Sequence, residues 1–454
     1  MSGLARILAD AGALVTGSEP KPSATSMSLV KRGCNVSRDQ EGRLLSKEID
    51  LVVRTAAIKD DNPEFTHACN LDLPHMKYAQ LLGQVMQERL GVAVAGTHGK
   101  STTTGMIAYA LTQCGQDPSW VVGGIVPQLG GGSASGTGTA FVVEACEFDR
   151  SFHNLHPTVA LINNIETDHL DCYKDLNDII ASFRHFAAMV PATGTVICNG
   201  QDANVAQALA GLSCNIQTVG FSAACTWCAV STGIPNGCHT ANVLHDGVLV
   251  AQLQLTVPGI HNLFNATMAV AACVACGVSP AEAAREISGF TGVDRRMTQI
   301  GQYHGAVVID DYGHHPTEIR ATLAALRERY NPVKLYCVFQ PHQHSRTRLL
   351  FDEFTHAFNQ ADTTIIPDIY QCRDSEEDRR AVTSGKLVEQ IRANGQNALY
   401  MPDFSSVLKH LMANVTPGDL VLTIGAGNVY EIGRDLVDAN NGFQPLDATK
   451  NDIL

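Results

Sequence analysis

The sequence predicts a three-domain α/β protein in which parallel sheets are joined by crossover helices. Short apolar runs alternate with helical patterns along the whole chain, which is typical of parallel α/β sheets. The chain has 454 residues, and at roughly 150 residues per domain this length favours three domains. We predict domain boundaries at 1–90, 91–292 and 293–454.

Composition and charge argue against two classes of partner. The chain carries 32 Lys and Arg against 45 Asp and Glu, a formal net charge of -13, which opposes a basic nucleic-acid-binding surface. No apolar run approaches the roughly 18 residues that a membrane span needs, and Arg6 and Asp10 lie where a secretion signal would be apolar. We expect a cytoplasmic protein, a monomer or weak homodimer, with no nucleic-acid or membrane partner.

The 14 cysteines are scattered over a long chain, which favours free and mostly buried thiols over disulfides. Two CxxC pairs occur, Cys225 with Cys228 and Cys273 with Cys276. Zinc would need the ligands of both pairs to converge in space. We therefore favour ordinary packing for these cysteines.

The predicted strands fall into three segments. The first segment has short strands at 13–16 and 51–53. The second begins with a strand at 92–95 and contains a Gly/Ser-rich stretch at 130–138, which we expect to be a flexible surface loop. We expect the polar tail after Asp438 to be disordered. The strands of the third segment are predicted at 307–309, 335–339, 363–366 and 420–424.

The strongest local signal is a phosphate-binding loop between a strand and a helix. A glycine-containing loop can turn backbone N–H groups toward phosphate oxygens, and the helix N-terminus adds partial positive charge. Lys100 would reach the outer phosphates, and Ser101 would offer its hydroxyl to Mg²⁺. An ordinary glycine turn stays open, because the spacing is tighter than in GxxxxGK[ST]. The residues of the loop and helix start are Gly96, Thr97, His98, Gly99, Lys100, Ser101 and Thr102.

Acidic residues follow the next two predicted strands, at the strand ends where ligands bind in open α/β sheets. Glu144 is the strongest candidate for a magnesium ligand, because a carboxylate beside a phosphate loop is where magnesium is commonly held. For the others a solvated loop position stays open. They are Glu147 and Asp149 after strand 141–143, and Asn163, Asn164, Glu166, Asp168 and His169 after strand 159–162.

Five motifs together resemble the Mur ligases of peptidoglycan synthesis, and the resemblance covers nearly the whole chain. They are GTHGKSTTT from Gly96, EACEFDRS from Glu144, NNIETDHLDCY from Asn163, His261-Asn262 with Asn265, and DDYGHHPTE from Asp310. The resemblance implies a Rossmann-like N-terminal domain for a UDP-sugar. It also implies a central P-loop ATPase-type parallel sheet and a Rossmann-like C-terminal domain for an incoming amino acid.

Within this family, DDYGHHP and FQPHQHSRTR from Phe339 resemble most the branch that joins L-alanine to UDP-N-acetylmuramate. The implied reaction uses ATP and Mg²⁺: the muramyl carboxylate attacks the γ-phosphate, and the amine of L-alanine then attacks the acyl phosphate. A branch that adds a whole peptide to the same sugar nucleotide is the closest rival. A nucleotide-binding protein without ligase activity stays open as a third hypothesis.

The resemblance also implies a role for each candidate site residue. Ser101 and Glu144 would hold one Mg²⁺, His169 would help to hold a second, and Asp311 would contact the ribose. A helix cap stays open for the residues near adenine, and a solvated face for the arginines expected to reach phosphate on domain closure. The remaining assignments are adenine for His261, Asn262 and Asn265; phosphate for Arg295 and Arg296; the reacting groups for Lys100, His314 and Arg346; and substrate for Ser18, Thr55, Asn164, His315, His342, Arg346 and Arg348.

Two departures from the family pattern bear on these expectations. The chain opens at Met1-Ser2-Gly3-Leu4, which resembles the end of the family's glycine-rich UDP loop, so we expect the first strand of the N-terminal domain to be missing. A sheet without that strand would expose a new edge, and we expect weakened sugar-nucleotide binding and lower stability. Gln343 replaces a usual Arg, and this puts the amino-acid contact partly in doubt.

Overall fold

The computed structural model describes residues 1–21 and 23–440. The tail predicted to be disordered lies, from residue 441 onward, outside the described residues. The α/β class and the predominance of parallel strands are confirmed. Within the described ranges, no helix combines the length and apolar character needed to cross a membrane.

The N-terminal segment folds into two small parallel strand pairs flanked by helices. β1 pairs with β2 and β3 with β4, so the predicted strands at 13–16 and 51–53 begin later than expected and lie in separate pairs. The elements are α1 (Ser2–Asp10), β1 (Thr16–Ser18), α2 (Ala24–Lys31), β2 (Asn35–Ser37), β3 (Val52–Arg54), α3 (Pro63–Asn70), β4 (His75–Lys77) and α4 (Tyr78–Met86).

The central segment forms a ten-stranded sheet in the order β14-β13-β12-β11-β10-β9-β5-β8-β6-β7. The strands from β6 to β12 in this order are parallel to their neighbours, and β7, β13 and β14 add antiparallel edges. The elements are β5 (Leu90–Ala95), α5 (Lys100–Gln113), β6 (Ser119–Val126), β7 (Gly131–Ala134), β8 (Ala140–Glu144), β9 (Val159–Ile162), α6 (Leu176–Ala188), β10 (Thr195–Asn199), α7 (Ala203–Leu209), β11 (Asn215–Gly220), β12 (Trp227–Gly233), β13 (Thr240–His245), β14 (Val248–Gln254), α8 (Ile260–Ala275) and α9 (Pro280–Ser288).

Two hydrophobic cores cover the two faces of this sheet. In β5, Val92 and Val94 pack toward α5, α8 and α9, while Ala93 and Ala95 pack toward α4, α6 and α7. This alternation follows from the two-residue period of a strand, and burial on both faces explains why β5 is apolar throughout. The central strand is thereby held rigidly where it delivers the loop that follows it.

The prediction of a flexible loop at 130–138 was wrong for its first part. Residues of this stretch form β7, which pairs antiparallel with β6 at the sheet edge. Leu4 and Ile7 of α1 are buried in the core beside Val121 of β6, so the helix packs against this edge. Glycine permits the strand here because a side chain at Gly132 would lie 2.9 Å from the Gly124 carbonyl oxygen.

The C-terminal segment forms a six-stranded sheet in the order β15-β16-β20-β17-β18-β19, in which only β15 is antiparallel to its neighbour. The predicted third-segment strands are confirmed, with the first one longer than expected. The elements are β15 (Thr298–Tyr303), β16 (Ala306–Asp311), α10 (Pro316–Tyr330), β17 (Leu335–Phe339), α11 (His344–Leu349), α12 (Phe351–Thr355), β18 (Thr363–Ile366), α13 (Glu376–Ala381), α14 (Ser384–Ala393), β19 (Ala398–Tyr400), α15 (Phe404–Asn414), β20 (Leu420–Ile424) and α16 (Tyr430–Asn440).

Candidate functional site

The loop between β5 and α5 has the geometry that phosphate binding requires. Gly96 and Gly99 have φ of 144° and 78°, a region that glycine adopts without steric cost. A side chain at Gly99 would also lie 2.7 Å from Oδ1 of Asn265 and 2.9 Å from Nδ2 of Asn163. Both glycines are therefore required by the backbone, and the loop leads directly into the N-terminus of α5.

Residues that follow β9 hold this loop in place. The backbone N–H of His98 donates to Oδ1 of Asn164 at 2.7 Å, and Nδ2 of Asn163 donates to the Thr103 hydroxyl at 3.0 Å. The Glu166 N–H donates to the Thr97 hydroxyl at 2.8 Å. Asn164, predicted to bind substrate, thus lies against the phosphate loop and orders it.

Lys100 lies at the centre of the loop, where its ammonium group is fixed by three oxygens. Nζ donates to the carbonyls of Gly96 at 2.5 Å and Thr97 at 3.1 Å, and to Oε1 of Glu147 at 2.9 Å. Burial lowers the pKa of Lys100, but Glu147 and the neighbouring Cys146 and Glu144 outweigh this effect, and the net pKa is raised. The lysine is a permanent cation at this position.

The three predicted metal ligands fall into two places. Ser101 and Glu144 line one cavity of about 640 Å³, and Oε2 of Glu144 accepts from the Gly123 N–H at 2.9 Å. His169 lies instead beside Glu147, with Nε2 3.7 Å from its Oε1. Nδ1 of His169 and Oε2 of Glu147 are both buried and have no hydrogen-bond partner among residues 1–21 and 23–440, so each has an unused lone pair or proton there.

A second cavity of about 380 Å³ lies between the central sheet and α10. Burial lowers the pKa of His261 to about 4, so its imidazole is neutral. The helix-cap alternative for Asn262 does not apply, because Gly259 is the N-cap of α8 and Asn262 donates to the Pro258 carbonyl at 2.8 Å. The predicted nucleotide contacts that line this cavity are His98, Gly99, Thr102, His261, Asn262, Asn265, Arg296 and Asp311.

Asp311 and the two junction arginines are tied to the C-terminal sheet. Asp311 accepts backbone N–H groups of Met297 at 2.8 Å and Gly313 at 2.6 Å, while burial raises its pKa to about 6. Arg295 donates to Asp310 at 3.0 Å and lines the cavity of Ser101 and Glu144, whereas Arg296 lines both cavities. Of the two arginines, Arg296 is thus the one that borders both cavities.

The central and C-terminal segments are closed over each other by buried polar contacts. Nε of Arg346 donates to Oδ1 of Asp168 at 2.9 Å, and both side chains are at least 93% buried, since their exposed fractions are 6% and 7%. The Thr317 hydroxyl donates to Oε2 of Glu166 at 2.7 Å. Cross-domain ion pairs of this kind couple closure to the protonation of their members.

The contact between His98 and Glu318 also joins the two segments, and it shifts the pKa values of the groups around it. Nδ1 of His98 lies 3.3 Å from Oε1 of Glu318, which is on α10. Burial lowers the pKa of His98, but Glu318 and Glu166 outweigh it and raise the pKa to about 9. Burial also raises the pKa of Glu166, and His98 with Thr317 outweighs it, so that the Glu166 pKa falls to about 2.

These shifts predict how stability depends on pH. The His98 contribution is complete below its ordinary pKa of 6.5 and is lost as the pH rises through 9. The Glu166 contribution is complete above its ordinary pKa of 4.5 and is lost as the pH falls toward 2. In EDTA, we expect the difference in Tm between the wild type and His98→Gln to be largest near pH 5.5 and absent at pH 10. A difference that stays constant up to pH 10 would contradict this assignment.

Three histidines near Arg346 and His98, namely His314, His315 and His342, have lowered pKa values. Burial and the charge of Arg346 lower the pKa of His314 to about 3 and of His342 to about 4. His315 packs against His98 with ring centroids 4.6 Å apart, and burial lowers its pKa also. The ring of His342 stacks on Tyr370. These rings can position reacting groups, but as neutral imidazoles they supply no cation.

Arg346 and Arg348 lie on α11 but face different surroundings. Besides Asp168, Arg346 donates through Nη1 to the His342 carbonyl at 3.2 Å. Arg348 donates to Asp378 of α13 at 2.9 Å and is 44% exposed, so it is not brought into the cluster around Arg346. Gln343 donates to the Cys372 carbonyl at 3.1 Å and shapes the turn before α11.

The two predicted substrate contacts of the N-terminal segment lie at the ends of its strands. Ser18 ends β1 and donates to Oε2 of Glu64 at 2.5 Å. Thr55 follows β3, and its hydroxyl accepts from the Ala57 N–H at 3.4 Å. Lys77 links this segment to the central one through Asp149, at 2.7 Å.

Sequence reasoning left several site residues without a role. Glu147 binds Lys100, Asp168 binds Arg346, and Glu318 lies near His98, His314 and Arg296. Glu147 and Asp168 stood in the predicted acid runs, where nothing distinguished them from solvated residues. Glu318 was visible as the last residue of DDYGHHPTE, at the position where a capping glutamate is also expected.

Comparison with known families assigns the chain. Three family models match it in succession: the Mur ligase family catalytic domain over residues 1–90, the Mur ligase middle domain over 94–273, and the Mur ligase glutamate ligase domain over 295–427. The chain belongs to the Mur ligase family. The phosphate loop described above lies in the part matched by the middle-domain model.

Curated Mur ligases match almost the whole chain. The UDP-N-acetylmuramate–L-alanine ligase of Acetivibrio thermocellus is 42% identical over 96% of this chain and 92% of its own length. The enzyme of the same name from Caldanaerobacter subterraneus subsp. tengcongensis is 41% identical over 97% of this chain and 95% of its own length.

Solved Mur ligase structures share the fold. The UDP-N-acetylmuramate–alanine ligase of Thermotoga maritima is 25% identical with a TM-score of 0.81, over 97% of this chain and 96% of that one. A murein peptide ligase from Psychrobacter arcticus is 26% identical with a TM-score of 0.72, over 98% of this chain and 97% of that one.

Proposed function

We propose that this Mur ligase joins L-alanine to the carboxylate of UDP-N-acetylmuramate, with hydrolysis of ATP to ADP and phosphate, in peptidoglycan precursor synthesis. The observation that carries the proposal has two parts. The phosphate loop around Lys100 is already ordered, and the C-terminal segment is closed over the central one with Arg346 at the contact between them. Relatives named for this reaction, 42% and 41% identical over nearly the full chain, support the choice of substrates.

ATP would occupy the two cavities on either side of the phosphate loop. The cavity lined by His261, Asn262 and Asp311 has the polar edges and size suited to an adenosine. The loop N–H groups, the α5 N-terminus and Lys100 would hold the triphosphate. Thr102 lines the first of these cavities, and Arg296 lines both.

The residues present also fit Mg²⁺. The Ser101 hydroxyl and Glu144 carboxylate share one cavity, and oxygen donors of this kind suit Mg²⁺. His169 would help to hold a second ion together with Glu147, whose Oε2 has no hydrogen bond in the described part of the chain. Bound Mg²⁺ would neutralise charge on the phosphate oxygens.

Cations are needed because the proposed first step brings an anion to an anion. At about 4 Å, two unit charges repel by roughly 4 kcal/mol at an effective dielectric constant near 20. Lys100 is charged before ATP arrives, and its three N–H groups are held by Gly96, Thr97 and Glu147. A direct contact with a phosphate oxygen would replace one of these bonds, and we propose that it is the bond to Glu147. The carboxylate oxygen attacks the γ-phosphorus, and ADP leaves.

The second step needs an amine held beside the acyl phosphate. Nε and Nη1 of Arg346 are used by Asp168 and His342, while Nη2 has no partner among the residues that the structure describes. The Nη2 group of Arg346 can therefore bind the carboxylate of a free amino acid. The amine then attacks the acyl carbon, the amide forms, and phosphate leaves with an oxygen of the original carboxylate. With a pKa of about 3, His314 is too weak a base to hold the proton of the amine; we propose that this proton leaves to solvent and that the neutral imidazole helps to orient the amine.

An amino-acid screen tests the proposed specificity. Phosphate release should require both UDP-N-acetylmuramate and an amino acid, with kcat/KM for L-alanine about tenfold or more above glycine, since one methyl group in a pocket is worth about 1–3 kcal/mol. L-Serine and the tripeptide L-Ala-γ-D-Glu-meso-diaminopimelate complete the screen. A preference for the tripeptide would favour a murein peptide ligase instead, and release without any amino acid would contradict the ligase proposal.

The setting proposed for this reaction follows from its substrates. ATP and a UDP-sugar are cytoplasmic metabolites, so we propose a cytoplasmic enzyme that supports cell-wall biogenesis, cell shape and division. We also propose that it works as a monomer or weak homodimer.

A further inference from the structure

We propose that His98, Glu166 and His315 form a Zn²⁺ site that is complete only when the C-terminal segment is closed over the central one. His98 and Glu166 belong to the central segment, whereas His315 directly precedes α10. In the described part of the chain, these are the residues whose ligand atoms all lie within 4.8 Å of one another. One bound ion would therefore link the central segment to the C-terminal one.

The distances between the donor atoms fit a tetrahedral ion. Oε2 of Glu166 lies 3.5 Å from Nε2 of His98 and 3.6 Å from Nδ1 of His315. Zinc bonds of about 2.0–2.1 Å at tetrahedral angles place neighbouring ligands roughly 3.3 Å apart. Both Glu166 distances are therefore within a few tenths of an ångström of this value, and the two histidine donors lie within 4.8 Å of each other.

Nε2 of His98 also lacks any other partner. It is buried and has no hydrogen bond within the described residues, and at 3.5 Å the Glu166 oxygen is at the limit of hydrogen-bonding distance. A buried polar atom without a partner is costly. A metal ion bound between His98, Glu166 and His315 would satisfy it.

The second nitrogen of each histidine is held as in known metal sites. Nδ1 of His98 faces Oε1 of Glu318 at 3.3 Å, and Nε2 of His315 lies 3.2 Å from the Thr167 carbonyl oxygen. Histidines that bind metal through one nitrogen usually donate the other N–H to a carboxylate or a backbone carbonyl, which fixes the tautomer and the ring plane. The His98 ring thus turns toward Glu166 a nitrogen that has no hydrogen bond among the described residues, whereas Nδ1 of His315 accepts the Thr317 N–H at 3.3 Å, a bond that the metal would replace.

The donor set selects the type of metal. Two imidazoles and one carboxylate form a ligand set typical of open zinc sites, whereas Mg²⁺ prefers oxygen donors in octahedral geometry. This separates the site from the Ser101 and Glu144 pair, which offers only oxygen. The fourth position would face the cavity beside Gly99 and Asn164 and would take water.

The consequence for turnover rests on the proposed ligase function. Substrates must enter and products must leave through an opening between the central and C-terminal segments, and an ion bound to both would slow that opening. Micromolar Zn²⁺ should therefore lower kcat in the presence of saturating Mg²⁺. Zn²⁺ binding requires no ligase activity, so a negative result for the zinc site and a negative result for the ligase function can be distinguished.

Protonation of His98 is the alternative to metal binding, because a charged imidazole would balance the negative charges of Glu166 and Glu318 without any metal. Titration of the metal-free chain with Co²⁺ and Zn²⁺ in the absence of nucleotide separates the two. We expect one ion per chain, tetrahedral Co²⁺ absorption in the visible range without a thiolate charge-transfer band, and a higher Tm with Zn²⁺.

Variants complete the experiment. His98→Gln and His315→Gln should each weaken Zn²⁺ binding at least tenfold and abolish the rise in Tm, while the matched control at an exposed histidine, His304→Gln, should behave as the wild type. Glu318→Gln should weaken binding about tenfold or more. Far-UV circular dichroism in EDTA checks that each variant folds. Unchanged Zn²⁺ affinity in His315→Gln, or a thiolate band from the cysteines, would overturn the proposal.

Discussion

Lys100→Ala should abolish ADP formation, with kcat/KM lowered about 10³-fold or more. The ammonium group is buried and held at the phosphate loop by the Gly96 and Thr97 carbonyls and by Glu147, so its positive charge is already in place to stabilise the phosphates. A 10³-fold loss corresponds to about 4 kcal/mol of transition-state stabilisation. Steady-state release of ADP and phosphate measures the effect.

Two further variants separate this catalytic loss from a loss of folding. Lys100→Ala leaves Glu147 buried without its cation, which is destabilising by itself; the double variant with Glu147→Gln removes that unpaired charge. We expect the double variant to melt close to the wild type and to remain inactive. Lys409→Ala, at an exposed lysine on α15, is the control for lysine removal. Activity of the double variant within tenfold of the wild type would show that Lys100 does not act on ATP.

Arg346→Ala should have the second largest effect, on stability and on amino-acid binding together. Removing one member of a buried ion pair leaves the other charge uncompensated and typically costs about 3–5 kcal/mol. Here the remaining charge is Asp168, whose pKa burial would raise but which Arg346 holds well below its ordinary value. Urea unfolding measures the stability, and KM for the amino acid measures the binding.

The neighbouring Arg348 provides the stability control for Arg346. It lies on the same helix, but its pair with Asp378 is half-exposed, and exposed pairs contribute about 0–1 kcal/mol. Arg346→Lys keeps the charge but loses the planar fork, so it should restore part of the stability while KM for L-alanine stays raised. Equal losses of stability in Arg346→Ala and Arg348→Ala would contradict the burial-based assignment.

The fold was largely predictable because its strands are buried on both faces. Continuous apolar runs such as Leu335–Phe339 and Leu420–Ile424 predict buried strands directly, and the observed strands have the predicted bounds. The N-terminal strands are only three residues long, which is too short for a periodic signal, and they begin later than predicted. β7 was missed because its glycines are typical of a loop, whereas here they allow close approach to Gly124.

The site was predictable where chemistry depends on residues adjacent in sequence. The phosphate loop was visible because strand, glycines, lysine and helix follow one another within one stretch. The pairing of Arg346 with Asp168, and of His98 with Glu318, joins residues far apart in the chain, and no local pattern indicates it. Only the fold shows which acids are buried partners and which, such as Asp378 beside Arg348, are near the surface.

Isotope transfer tests the central claim most directly. With both carboxylate oxygens of UDP-N-acetylmuramate labelled with ¹⁸O, attack of that carboxylate on the γ-phosphate predicts that each released phosphate carries one ¹⁸O atom and each new amide carries the other. Mass spectrometry of the phosphate reads this out. Phosphate that contains no label while the amide keeps its ¹⁸O, or phosphate formed without any amide, would contradict an acyl-phosphate ligase.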